Sequence, residues 1–112
     1  MAQLLNLASA LEMLGGEKGL LKELLTDFVC GKQFKKSELI RLEQLEDKTE
    51  AAKYVHYFKG AARQIGAEQF AASAQKLEDT LRGRENLSLE MLNEKFEQDL
   101  KASNAAINLA LK

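Results

Sequence analysis

The stretch "YVHYFKGAARQIGA", Tyr54 to Ala67, holds the only histidine of the chain, His56, with Lys53, Lys59 and Arg63 around it. An imidazole is well suited to nucleophilic work near neutral pH, because one ring nitrogen keeps a free electron pair while the other carries the proton. The three cations lie three or seven positions away, spacings that bring helical side chains onto one face. Gly60 lies four positions on. Glycine inside a helix costs about 1 kcal/mol relative to alanine, and one that faces outward with the imidazole is explained by access. The missing side chain lets the surface of another molecule approach the ring. A lone histidine among lysines is also ordinary on a solvated helix face, and on periodicity alone that reading is the commoner one.

A second polar stripe, Gln75, Glu78 and Arg82, is spaced by three and four. If the chain reverses at Gly66, antiparallel geometry brings the region from Gln75 to Glu78 level with His56. A carboxylate there accepts a hydrogen bond from one ring nitrogen, fixing the tautomer and leaving the other nitrogen as the nucleophile. Spacing alone fits a solvated Glu78 equally well.

These residues need helices to hold them. The chain is rich in Leu, Ala, Glu, Lys and Gln and has no proline, which gives an all-α class. A short first helix is predicted from about Gln3 to Leu14, stopping at Gly15-Gly16. A second begins near Glu17 and runs on through Leu39, Leu42 and Leu45 as one long helix, kinked at Gly31. Asp47-Lys48-Thr49-Glu50 resembles a capping box and opens a third, which ends near Ile65. Gly66 marks the turn into a fourth, from about Ala67 to Leu81, which stops at Gly83. Ser88 caps a fifth, with Leu87 and Leu92 as its hydrophobic staple and Leu89, Leu92, Phe96, Leu100 and Ile107 as its core stripe.

At about 100° per residue, Tyr54, Phe58, Ala61 and Ile65 point away from His56, flanked by Ala51, Val55 and Ala62. The core lies on that side. Ala52, Lys53, Lys59, Gly60 and Arg63 share the outer face with His56, which sets three cations around an exposed ring. Short connections between long amphipathic helices make antiparallel neighbours, hence an up-down antiparallel four-helix bundle carrying a short additional N-terminal helix.

With 112 residues and 46% hydrophobic content the chain suits one domain, residues 1–112. Sixteen Lys and Arg nearly balance seventeen Asp and Glu, so no basic field points to nucleic acid. The one cysteine, Cys30, has no second cysteine or histidine to form a disulfide, a metal site or a Cys-His pair. No apolar run approaches the roughly 20 residues needed to span a bilayer, and the start lacks the basic region of a signal peptide, so a cytoplasmic protein without direct membrane contact is expected.

The stretch "HYFKGAARQIGAEQFAASAQKLE" resembles the signature of histidine-containing phosphotransfer (HPt) domains: His56, Lys59-Gly60, Ala61 and Ala62, Ile65-Gly66-Ala67, Phe70 and Leu77-Glu78. "LEMLGGEKGLLKELLTDF" is similar to the family's N-terminal pattern, so the resemblance covers almost the whole chain. Phe58 and Phe70 stand where leucine is commoner, and Asn6 where the family often has an acid. The resemblance implies a four-helix bundle whose exposed His56 carries a phosphoryl group between receiver domains of response regulators or hybrid histidine kinases. It further implies that Lys59 lies near that group, that Gly60 leaves room for the receiver, and that Glu78 bonds the ring. Lys53, Gly60, Arg63, Gln75 and Arg82 are then expected to face the partner.

On this reading the domain is a monomeric phosphocarrier and not an enzyme. It has no cofactor of its own, and Mg²⁺ comes with the receiver. Two other classes fit parts of the pattern. The phosphate-accepting domain of a chemotaxis-type histidine kinase shares the His, Lys, Gly and Glu residues but draws on an ATP-binding domain. A non-catalytic helical adaptor would need a contiguous exposed apolar patch, which the periodicity does not provide.

Overall fold

A computed structural model describes residues 2–112. Among the described residues there are six helices and no strand: α1 (Leu7–Met13), α2 (Lys18–Cys30), α3 (Lys36–Glu43), α4 (Thr49–Gln64), α5 (Glu68–Leu81) and α6 (Leu89–Ala110). The all-α class is as expected. The most extensive packing is between α4 and α5, then between α5 and α6, while α3 lies on α4 and α2 reaches both α4 and α6. Phe70, Phe96, Leu39, Ile65, Leu77, Ile107 and Val55 are fully buried between them.

The long second helix expected from Glu17 to Leu45 is two helices. Its ladder ends at Gly31, whose N–H bonds the Asp27 carbonyl at 2.8 Å, and the Gln33 amide then takes the Val29 and Gly31 carbonyls. Beyond it Phe34 turns inward. Its ring sits 4.9 Å from Phe96, 5.8 Å from Phe58 and 6.0 Å from Tyr54, centroid to centroid, and the Lys35 N–H bonds the Tyr54 hydroxyl at 2.9 Å. A half-buried aromatic packed on three other rings outweighs the few backbone bonds lost by breaking a helix.

The first helix is also shorter than the span from Gln3 to Leu14. The segment before it pairs with the start of α5 instead: the Gln69 N–H bonds the Gln3 carbonyl at 2.9 Å, and the Gln3 N–H bonds Glu68 Oε1 at 3.0 Å. Asn6 caps α1, its Oδ1 accepting from the Ser9 N–H at 3.1 Å while its Nδ2 donates to Glu68 Oε2 at 2.9 Å. Asparagine here does the capping that an acid would do, and its side-chain amide ties the cap to α5 as well.

The capping box expected before α4 does not form, because the N-cap position falls on Lys48, which makes no side-chain cap. Asp47 accepts from both the Thr49 N–H and the Thr49 hydroxyl, while Glu50 turns to Lys53 rather than back to Asp47. Ser88 caps α6 through the Met91 N–H at 3.3 Å, but Leu87 is exposed, so the staple expected with Leu92 is absent. At Gly66 the backbone takes φ +76°, a conformation that L side chains rarely adopt, and its carbonyl accepts the Asn6 N–H at 2.7 Å. This turn reverses the chain between α4 and α5. Side-chain contacts run 56 to 78, 59 to 75 and 63 to 75, the descending order of an antiparallel pair.

Candidate functional site

His56 projects from the middle of α4 with 60% of its side chain exposed, while Glu78 on α5 is only 3% exposed. The ring meets the carboxylate edge-on: Nδ1 lies 3.1 Å from Oε2 and 3.2 Å from Oε1. Lys59, one turn after His56, reaches Glu78 Oε1 at 2.6 Å, and Arg82, one turn after Glu78, donates from Nε to Oε2 at 2.8 Å. Three donors therefore converge on one buried carboxylate.

Burial by itself would raise the Glu78 carboxyl, but hydrogen bonds from Lys59, Arg82 and His56, with the charge of Lys59, overcome it and hold the group at about 2. Glu78 is thus an anion that can only accept. The ring nitrogen facing it must donate, so Nδ1 carries a proton, and in the neutral ring Nε2 keeps the electron pair. With Nδ1 turned to the protein, Nε2 is the nitrogen left for chemistry with another molecule.

Gly60 lies four residues from His56, and a Cβ added there would meet nothing within 4 Å. The space beside the ring is open. Further along the seam, Gln75 Oε1 accepts from Lys59 Nζ at 3.1 Å and from Arg63 Nη2 at 3.2 Å. The structure therefore joins His56, Lys59, Arg63, Gln75, Glu78 and Arg82 in one network. Lys53 stands outside it, exposed and paired with Glu50 at 3.6 Å.

Two placements differ from the sequence expectation. Lys59, assigned to the solvated face with His56, is buried, with 7% of its side chain exposed, and so is Ala52 on the same flank. Both lie on the side of His56 that α5 covers. Two members of the network were also missed from sequence. Asp79 accepts from Gln75 Nε2 and from Arg84 Nη1, both at 2.9 Å. The four-residue spacing from Gln75 to Asp79 is a signal from which the first contact could have been found.

Among the described residues no three His, Cys, Asp or Glu side chains converge as metal ligands, and no helix is long and apolar enough to cross a membrane. A sequence model described as Hpt domain matches residues 1–108. Hpt domains are phosphocarrier modules of two-component signalling and work with receiver domains. No curated protein and no solved structure matches the chain.

Proposed function

The chain belongs to the Hpt domain family, and from that membership we propose that it is a phosphorelay intermediate, one domain that accepts a phosphoryl group on His56 from a receiver aspartate and passes it to another receiver. The observation that carries this reading is the Nδ1 contact to Glu78, because it leaves Nε2 unprotonated at the exposed end of the ring. In the transfer the Nε2 electron pair forms the N–P bond as the P–O bond to the receiver aspartate breaks, and the bonding pair leaves with the carboxylate oxygen. Nδ1 keeps its proton throughout. The positive charge that develops on the ring lies against the Glu78 anion, and no separate base is required.

Lys59 is the cation nearest the reacting group. Two of its three N–H groups go to Glu78 and Gln75, and the third is left for a phosphoryl oxygen. Arg63 and Lys53 add positive charge on the outer face, and Gly60 leaves room for the receiver's phosphorylated loop. The Mg²⁺ needed at the aspartyl phosphate belongs to the receiver, and Glu78, the carboxylate against His56, is taken up by three cationic or ring donors. The domain is a monomeric cytoplasmic phosphocarrier and not an enzyme.

The test is incubation with a panel of receivers phosphorylated on aspartate, followed by assay for acid-labile, alkali-stable phosphate. Wild type is expected to be labelled and His56→Gln, still folded, to take no label. Acid-stable phosphate, or full labelling of the His56→Gln protein, would refute the assignment.

A further inference from the structure

Beyond the ring and its carboxylate, the α4–α5 seam contains a polar chain that ends on two residues with no role in the phosphocarrier reading, Asp79 and Arg84. Gln75 is at its centre. The Gln75 amide donates from Nε2 to Asp79 Oδ1 at 2.9 Å, and its carbonyl oxygen accepts from both Lys59 and Arg63. Turning this amide over would set its NH₂ against two cations and its carbonyl against a carboxylate. Asp79 therefore fixes which end of Gln75 faces Lys59. Arg84 Nη1 holds the same Oδ1 from the other side at 2.9 Å, so Asp79 is itself anchored.

We infer that Gln75 and Asp79 are positioning residues for phosphoryl transfer: Asp79 orients the Gln75 amide, and Gln75 together with Glu78 fixes the Lys59 ammonium so that its remaining N–H has one direction. The inference rests on the reading of His56 as the phosphoryl acceptor. It reassigns Gln75, which the sequence places at the partner surface, to a role inside the protein. Gln75 and Glu78 are one turn apart on α5, and an ammonium held by two acceptors loses free rotation about its Cε–Nζ bond. A cation fixed before the receiver arrives needs no reorganisation during transfer. Asp79 touches neither the ring nor Lys59, and so acts only through Gln75.

The experiment separates rate at saturation from affinity. In Gln75→Ala, transfer from saturating phosphoreceiver should fall about tenfold, the rate equivalent of losing one hydrogen bond to a charged group, while the receiver dissociation constant holds. Asp79→Leu should show the same split, and Asp79→Asn, which keeps an acceptor for Gln75, should restore the rate. A rise in the dissociation constant with an unchanged saturated rate would make Gln75 a partner contact and overturn the inference. So would a wild-type rate in Asp79→Leu.

Nitrogen-15 relaxation of the Lys59 ammonium supplies a readout that does not depend on transfer. Its rotation should be slow in wild type and freed in Gln75→Ala and Asp79→Leu. If His56 takes no label yet the ammonium is freed in both variants, the phosphocarrier reading fails and the anchoring of Lys59 stands. If His56 is labelled and the ammonium is unaffected, the anchoring is overturned.

Discussion

Lys59 and Glu78 form a closed ion pair across α4 and α5, Nζ to Oε1 2.6 Å, with both side chains buried beneath the surface on which His56 stands exposed. Burial would raise the Glu78 carboxyl, but this pair together with the hydrogen bonds from Arg82 and His56 holds it at about 2, against an ordinary 4.5. A carboxyl lowered in the fold stabilises fully above its ordinary value and progressively less as pH falls toward the folded one. Thermal unfolding followed from pH 5 to pH 2 should therefore show a loss of about 3 kcal/mol attributable to this group. In Glu78→Gln that part of the pH dependence should vanish. The variant should also be less stable at pH 7 by roughly 3 kcal/mol, because Lys59 is left buried without its counter-ion.

The ring tautomer gives a second expected outcome. Two-bond nitrogen-proton correlations on wild type at pH 8 should report a protonated Nδ1 and an unprotonated Nε2. Glu78→Ala removes the acceptor at Nδ1, so the two tautomers should mix and labelling of His56 should slow by about tenfold or more. A single Nδ1–H tautomer persisting in Glu78→Ala would show that another group orients the ring.

Away from the site, Glu43 on α3 and Asn93 on α6 are buried together, and Asn93 Nδ2 donates to Glu43 Oε1 at 2.7 Å. Glu43 Oε2 and Asn93 Oδ1 are buried with no partner. Burial pushes the Glu43 carboxyl up, against the Asn93 hydrogen bond and the charge of Lys48. A carboxyl raised in the fold stabilises below its ordinary value and loses that contribution as pH rises through the folded one. Glu43→Gln removes the buried charge while its carbonyl oxygen still accepts from Asn93 Nδ2. It should raise stability at pH 7 by about 1–2 kcal/mol and flatten the pH dependence just above the ordinary glutamate range. Urea titration of both proteins at pH 5 and pH 8 measures this, and an unchanged midpoint at pH 8 would count against it.

How far the sequence could be read depends on which forces act within one element. The outward direction of His56 and the burial of Val55, Phe58, Ala62 and Ile65 are legible because they follow from helical period alone. Lys59 and Ala52 are not, since they sit on the edge of the outer face, and whether an edge is covered depends on which side the neighbouring helix takes. The level of Glu78 with His56 followed from the turn at Gly66, because an antiparallel pair has its register set by the reversal point. The break between α2 and α3 was hidden for a different reason. The leucine period continues across Gly31, and only the contacts of Phe34 with Tyr54, Phe58 and Phe96, all distant in sequence, show why the helix ends there. Asp79 escaped because its effect on the site passes through a glutamine amide.

The glycines at 60 and 66 permit a final prediction, since adding a side chain should act oppositely at two positions six residues apart. At Gly60 a Cβ meets nothing within 4 Å, and the backbone is ordinary α-helix. Gly60→Gln should leave the fold intact or stabilise it by up to roughly 1 kcal/mol, because glutamine is the better helix former and its side chain has open space. At Gly66 a Cβ would collide with the Asn6 carbonyl, and the backbone is left-handed at φ +76°. Gly66→Ala should destabilise by about 1–3 kcal/mol, from strain at that φ and from loss of the Asn6 contact. Transfer separates them in the reverse sense. Gly60→Gln should block labelling of His56 in a protein at least as stable as wild type, because its side chain occupies the space beside the ring. Gly66→Ala should still be labelled at temperatures where it remains folded. A destabilised Gly60→Gln would mean that the glycine serves packing, and a stable Gly60→Gln labelled at the full rate would mean that the receiver approaches His56 from another side.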